Sequence, residues 1–169
     1  MKFQESIRSV LVRELEALRR ELEAYGEEED IWRRPSGIGN SAGNLALHLA
    51  GNLQSFVGTT LGATDYVRDR QAEFSRRDVP RAEVVAEIEQ TIAVIDETLS
   101  TLADERLSRP FPLAFGDTTV STGDFLIHLS THLAFHVGQV DYHRRLITGE
   151  NESIGPLAIP ALASARATE

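Results

Sequence analysis

Four stretches of this chain repeat their apolar residues every three or four positions, and that period constrains the fold more than any other feature. The clearest runs from Phe3 to about Tyr25, where Ile7, Leu11, Leu15, Leu18, Leu22 and Tyr25 are spaced 4, 4, 3, 4 and 3 apart. Such a spacing lays one stripe along a helix and buries it against other helices. Interleaved Arg and Glu between Glu14 and Leu22 mark the remaining faces as solvated. The acidic run Glu27–Asp30 after Gly26 reads as a solvated loop.

Turn-rich segments separate the stripes. Arg33 to Ser41 contains Pro35, Gly37, Gly39 and Asn40, and Asn40 or Ser41 suits the N-cap of a second helix over about 42–61. Leu45, Leu49, Leu53 and Phe56 face inward there. Gly43, Gly51 and Gly58 are unusual in such a helix and indicate close helix–helix approach or local backbone strain. Residues 62–79 are polar and charged and read as a long loop. Asp78 and Pro80 mark the start of a third helix over about 81–102, with Val84, Val85, Ile88, Ile92, Ile95 and Leu99 as its stripe. Pro110 and Pro112 break the chain, residues 115–120 suggest a small hairpin, and Ser121 or Thr122 caps a fourth helix ending at Gly149. A short apolar turn is expected near Leu157 to Leu162. The expectation is an all-α chain, residues 1–169 forming one four-helix-bundle domain with long connecting loops.

Composition excludes several functions. The chain has no Cys, which removes disulfides, thiolate metal sites and cysteine nucleophiles. With 17 Lys and Arg against 26 Asp and Glu, the net charge is −9, the wrong sign for a surface that tracks phosphates. Neither a secretory leader nor a run of about 18 apolar residues is present, so the expected setting is the cytoplasm, with no membrane or nucleic-acid partner.

The histidines carry the functional signal. Of the five, His128, His132, His136 and His143 lie on the fourth helix and His48 on the second. At about 100° per residue, His132 and His136 sit about 40° apart, one turn above the other. They fall within the stripe of Phe125, Leu129, Leu133 and Val140, with Ser130, Gly138 and Asp141 opposite. A pair at i, i+4 can chelate one divalent ion, and His48 is the remaining candidate for a third ligand. Spacing alone leaves a second reading equally open, namely buried histidines hydrogen-bonded within a core. His128 continues the series towards the stripe's edge as a further ligand or a partner behind one, and His143, beside Arg144 and Arg145, reads as structural.

Two segments together resemble the DinB-like superfamily, which includes YfiT-type proteins and the bacillithiol and mycothiol transferases. They are Asn40-Ser41-Ala42-Gly43-Asn44-Leu45-Ala46-Leu47-His48-Leu49 and His132-x-x-x-His136-x-Gly138-Gln139-Val140. The resemblance implies a four-helix bundle of the DinB/YfiT type, often a homodimer. It also implies a divalent metal on one His of the second helix and two of the last, here His48, His132 and His136. Three imidazoles with open positions suit zinc, and nickel or iron is compatible on ligand type. Gln139 matches a Gln position of the family, whereas Asn44 stands where many relatives carry an aromatic residue.

Three activities are then in view. The first is a transferase that uses a low-molecular-weight thiol, with Arg68 or Arg70 holding a carboxylate of the thiol or substrate. The second is a metal-dependent hydrolase with Glu73 as general base. The third is a metal- or ligand-binding stress protein without turnover.

Overall fold

The computed structural model describes residues 2–154 and 159–167; 66% is helical, and there is no strand among the described residues. Helix α1 spans Phe3–Glu23. Helix α2 spans Ala42–Leu53 and runs on through a π-helical turn, Gln54–Thr59, into a last turn α3, Thr60–Gly62. A short helix α4 covers Arg70–Ser75, α5 covers Arg81–Thr101 and α6 covers Thr122–Thr148. No helix among the described residues is long and apolar enough to cross a membrane.

The ends follow from local chemistry. Ser41 caps α2 by accepting from Asn44 N at 3.2 Å, and Ser121 caps α6 by accepting from Asp124 N at 3.1 Å. Gly149 stops α6 in the left-handed region, at φ 74°. The four long elements therefore lie where their apolar periods place them. The segment 62–79 is a correction: Asp69 accepts from Ala72 N at 2.9 Å and starts α4 inside the expected loop. Residues 115–120 form only a narrow turn, with isolated bridges Phe115 to Thr118 and Pro110 to Ser121. Of the expected C-terminal turn, Ile159–Ala161 is a 3-10 turn, while Leu157 lies outside the described residues.

Helices α1 and α2 each pack against both α5 and α6, so α1 and α2 sit diagonally across the bundle. Leu11, Leu15, Leu18 and Leu22 of α1, Leu49 and Leu53 of α2, Ile88, Ile95 and Leu99 of α5, and Leu129, Leu133 and Val140 of α6 are buried together. Each such side chain contributes roughly 1.5–3 kcal/mol on burial. The glycines of α2 mark close approaches. A Cβ on Gly43 would lie 2.6 Å from the Trp32 ring, and one on Gly51 would lie 2.5 Å from Glu73 Oε1.

A polar layer crosses the core at the far end of α6. Arg144, 1% exposed, donates through Nε to Glu21 Oε2 at 2.6 Å and through Nη2 to the Glu152 carbonyl at 2.7 Å. Asp141, expected on the solvent side, is instead buried beside this pair, because Arg144 and Arg145 each lie 3.5 Å from its carboxylate. His143 is structural. Its Nε2–H donates to the Arg33 carbonyl at 2.8 Å, so Nδ1 accepts from the Tyr25 hydroxyl at 2.6 Å. Burial lowers the His143 pKa and raises that of Tyr25, which keeps both groups neutral in this bond.

Candidate metal centre

Packing of α2 on α6 brings three histidines to one point. His48 of α2 and His132 and His136 of α6 each offer one ring nitrogen, and these nitrogens all lie within 4.8 Å of one another. Ring centroids are 5.2 Å apart for His48 and His132, 5.5 Å for His48 and His136, and 4.6 Å for His132 and His136. The 3.4 Å between His48 Nε2 and His132 Nε2 matches the edge of a tetrahedron with bonds of about 2.0–2.1 Å to a central zinc. His48 is buried, and His132 and His136 are half-buried, so the cluster sits at the rim of the core with one side accessible.

The tautomers are set from behind. Glu73 Oε2 accepts from His48 Nδ1 at 2.9 Å, and a carboxylate offers only acceptors, so Nδ1 carries the hydrogen and Nε2 keeps its lone pair. Gln139 Oε1 accepts from His136 Nδ1 at 2.7 Å with the same consequence. Metal-binding imidazoles are usually oriented by a partner on the other ring nitrogen in this way. Arg68 in turn clamps Glu73 with two bonds, Nε to Oε1 at 2.6 Å and Nη2 to Oε2 at 2.9 Å.

Glu73 is held in place by Asn44. The Asn44 carboxamide donates to the carbonyls of Glu73 at 2.9 Å and Arg76 at 3.1 Å, while Ser41 Oγ donates to its Oδ1 at 2.8 Å. A buried side chain one turn before His48 thus ties α4 to α2. Gly51 completes the seat, since the Glu73 carboxylate fills the space that its side chain would take.

Electrostatics favour the state that binds metal. Burial pushes the His132 pKa down to about 4, with the neighbouring His136, His48 and His128 rings and Arg68 adding to the effect. His136 is also lowered, chiefly by burial, against the bond to Gln139. Burial alone would raise Glu73, but the bonds from His48 and Arg68 outweigh it and hold the group below its usual range. His132 and His136 are therefore neutral at neutral pH, the state in which an imidazole can bind a metal.

The other sequence candidates fall around this cluster. Arg68 is engaged by Glu73, and Arg70 is exposed with its guanidinium 5.3 Å from the Phe74 ring centroid. Glu73 stands behind His48 with both oxygens in use, which makes it an orienting group. His128 stacks on His132 at 6.1 Å and lies outside the three-nitrogen cluster. The chain of Asn44, Glu73 and Arg68 was not assembled from sequence. Its one signal is a polar Asn and a Gly flanking His48 by about one turn on either side.

The DinB superfamily model matches residues 10–140. The fold is similar to the crystal structure of a conserved protein from Enterococcus faecalis. That comparison has a TM-score of 0.68 and 18% identity, and covers 89% of this chain and 99% of the other. No curated protein sequence matches this chain.

Proposed function

The chain belongs to the DinB superfamily, and from that premise we propose that it is a divalent-metal-dependent enzyme that transfers a low-molecular-weight thiol to a small electrophile. His48, His132 and His136 would hold the ion. The observation that carries this reading is the pair of acceptors, Glu73 and Gln139, that put the hydrogen on Nδ1 of His48 and of His136 and leave Nε2 of each ring with its lone pair, within a cluster of three imidazoles. His143 differs: its two nitrogens bond the Tyr25 hydroxyl and the Arg33 carbonyl, with no second imidazole nitrogen beside either. When bound, a divalent ion would supply Lewis acidity that lowers the thiol's pKa and polarises the electrophile. Zinc suits three imidazoles with an open side, and nickel and iron fit the same donors.

The protein's own contribution is orientation. Glu73 holds the His48 ring, Arg68 balances the Glu73 charge, and Gln139 fixes the His136 ring. The chain supplies no Cys, so the sulfur nucleophile comes from the co-substrate. A homodimer fits the row of exposed apolar residues on α6, Phe135, Tyr142 and Leu146, at 64%, 71% and 62% exposure.

Elemental analysis of untagged protein tests the site, and His132→Ala tests the link to chemistry. The variant should lose bound metal and thiol-dependent turnover together. Turnover of ester or amide probes without added thiol would replace the transferase by a hydrolase. Metal retention with neither activity would leave a binding protein.

A further inference from the structure

Glu73, which orients His48, also forms part of the wall of a cavity of about 320 Å³ to which none of the three histidines contributes. The cavity lies between α2 with its π-helical turn, the loop before α4, α4 itself and α5. Its volume falls within the range of small-molecule sites. We propose that it binds a small organic cation with several N–H donors, of the alkylguanidinium or alkylammonium class, as an effector of the metal centre. The binding site stands on the cavity alone, and the effector role rests on the metal-centre reading above.

Two independent observations point to such an occupant. First, Gln54 is 4% exposed and lines the cavity, yet its carboxamide bonds none of the described residues. A buried amide left unpaired is costly, and the atoms of this one are not sealed, so an occupant of the cavity can reach them. Gln54 also opens the π-helical turn Gln54–Thr59, and such turns within α-helices are frequent at functional sites.

Second, the wall is acidic. Asp69, Glu73 and Glu87 line it, and its cation, Arg76, is committed to Glu83 and, at 3.0 Å, to Glu87. Asp69 spends one oxygen on Ala72 N and keeps the other. Tyr66, also of the wall, feels this field: burial raises the pKa of its hydroxyl, and the charges of Glu73, Glu87 and Asp69 add to the rise against Arg68. A bare metal ion fits poorly, because these carboxylates do not converge. Among the described residues, the ligand atoms gathered within 4.8 Å are those of the three histidines. Acceptors spread round a cavity suit a cation whose N–H groups point several ways, and Leu47 and Ala72 offer apolar surface to an alkyl stem. A cation beside Glu73 would draw on the charge that faces His48, so occupancy opposes metal binding, and metal opposes occupancy by the same factor.

The test separates cavity from metal. Butylguanidinium, the neutral N-butylurea of the same shape, and butyrate are titrated into isotopically labelled, metal-free protein, and the side-chain amide resonances of Gln54 and Gln90 are followed by NMR. Butylguanidinium should shift both and saturate, at least tenfold more tightly than N-butylurea, and butyrate should shift neither. Gln54→Leu keeps the volume and removes the amide, and Glu87→Gln removes a carboxylate at the half-buried edge of the cavity. Each should weaken butylguanidinium at least threefold. Saturating butylguanidinium should also weaken zinc binding about threefold, read by competition with a chromophoric chelator. No saturable shift, or equal affinities for the guanidinium and the urea, would mean water alone in the cavity and would overturn the proposal while the metal centre stood. Binding that leaves zinc affinity unchanged would overturn the effector role. Binding that both substitutions weaken, in a protein that takes up no zinc, would sustain the cavity and overturn the metal reading.

Discussion

Glu73→Gln is the sharpest perturbation of the site, because it changes one atom and leaves every ligand in place. The Glu73 carboxylate is 5% exposed and takes three hydrogen bonds, from His48 Nδ1 at 2.9 Å and from Arg68 at 2.6 Å and 2.9 Å. A carboxamide has one acceptor oxygen and one donor nitrogen. Whichever way it turns, its NH₂ confronts a donor of Arg68 or His48. The negative charge that offsets Arg68 is also lost, so a cation at the three imidazoles would face an unbalanced guanidinium. Loss of such an orienting partner typically weakens metal binding 10- to 100-fold, or about 1.4–2.7 kcal/mol. The buried donor left unpaired should cost a further ~1–3 kcal/mol in folding stability. Zinc affinity of metal-free protein would be measured by competition with a chromophoric chelator, and stability by urea denaturation. Glu73→Asp keeps the charge and should recover part of the loss. Zinc affinity within twofold of the parent, in a Glu73→Gln protein of unchanged helix content, would refute the orienting role.

Gly51→Ala should mimic that loss, because its Cβ would meet Glu73 Oε1 at 2.5 Å, and zinc affinity should drop about tenfold. Gly138→Ala, with nothing within 4 Å of the new Cβ, should instead stabilise α6 by ~0.5–1 kcal/mol in the same urea series. In metal-free protein, His132 is held at about 4 and His136 is lowered, whereas unfolded imidazoles titrate near ~6.5. The unfolded chain then binds more protons in that window, so stability should be full above pH ~6.5 and decline as pH falls towards about 4. A flat urea midpoint across the window would contradict this. Glu21→Gln breaks the buried pair with Arg144 and should cost ~3–5 kcal/mol, read as a large drop in melting temperature. Chelation should release metal and abolish turnover while leaving far-UV helicity nearly intact, since the leucine core does not depend on the ion.

The long helices were legible because their signals are local. Period, cap and stop lie within one segment, as in Ser121 to Gly149. The three histidines were legible for a related reason. Two share a helix face, and the third is the one remaining histidine on a different helix, where the family resemblance also implies a ligand. What stayed hidden depends on pairs distant in sequence. Helix α4 lies in a charged stretch whose apolar content is too low to show a period, and its place is set by Asn44 bonding two carbonyls near residues 73 and 76. The burial of Asp141 was missed because a helical wheel assigns it to the solvent face. Its partner Arg144, itself paired with Glu21, carries it inside, which no period of apolar residues reveals.

The polar layer and two histidines of the three-histidine cluster occupy the same helix. His136 and His143 are seven residues apart on α6, about 10 Å along its axis. At the His143 level, Tyr25, the Arg33 carbonyl, Glu21 and Arg144 fix the rotation of α6 relative to α1 and the first linker. Apolar packing alone tolerates sliding of one helix past another, whereas a buried charge pair loses its partner on a shift of one residue. Two turns along, that fixed rotation decides whether His132 and His136 face α2 or solvent, because one residue of slip turns a side chain by about 100°. The layer therefore acts as the register of a site it does not touch. Replacing Glu21 and Arg144 together by apolar residues of similar size should restore stability while weakening zinc binding. If zinc affinity survived that double substitution unchanged, the leucine seam alone would be enough to set the rotation of α6.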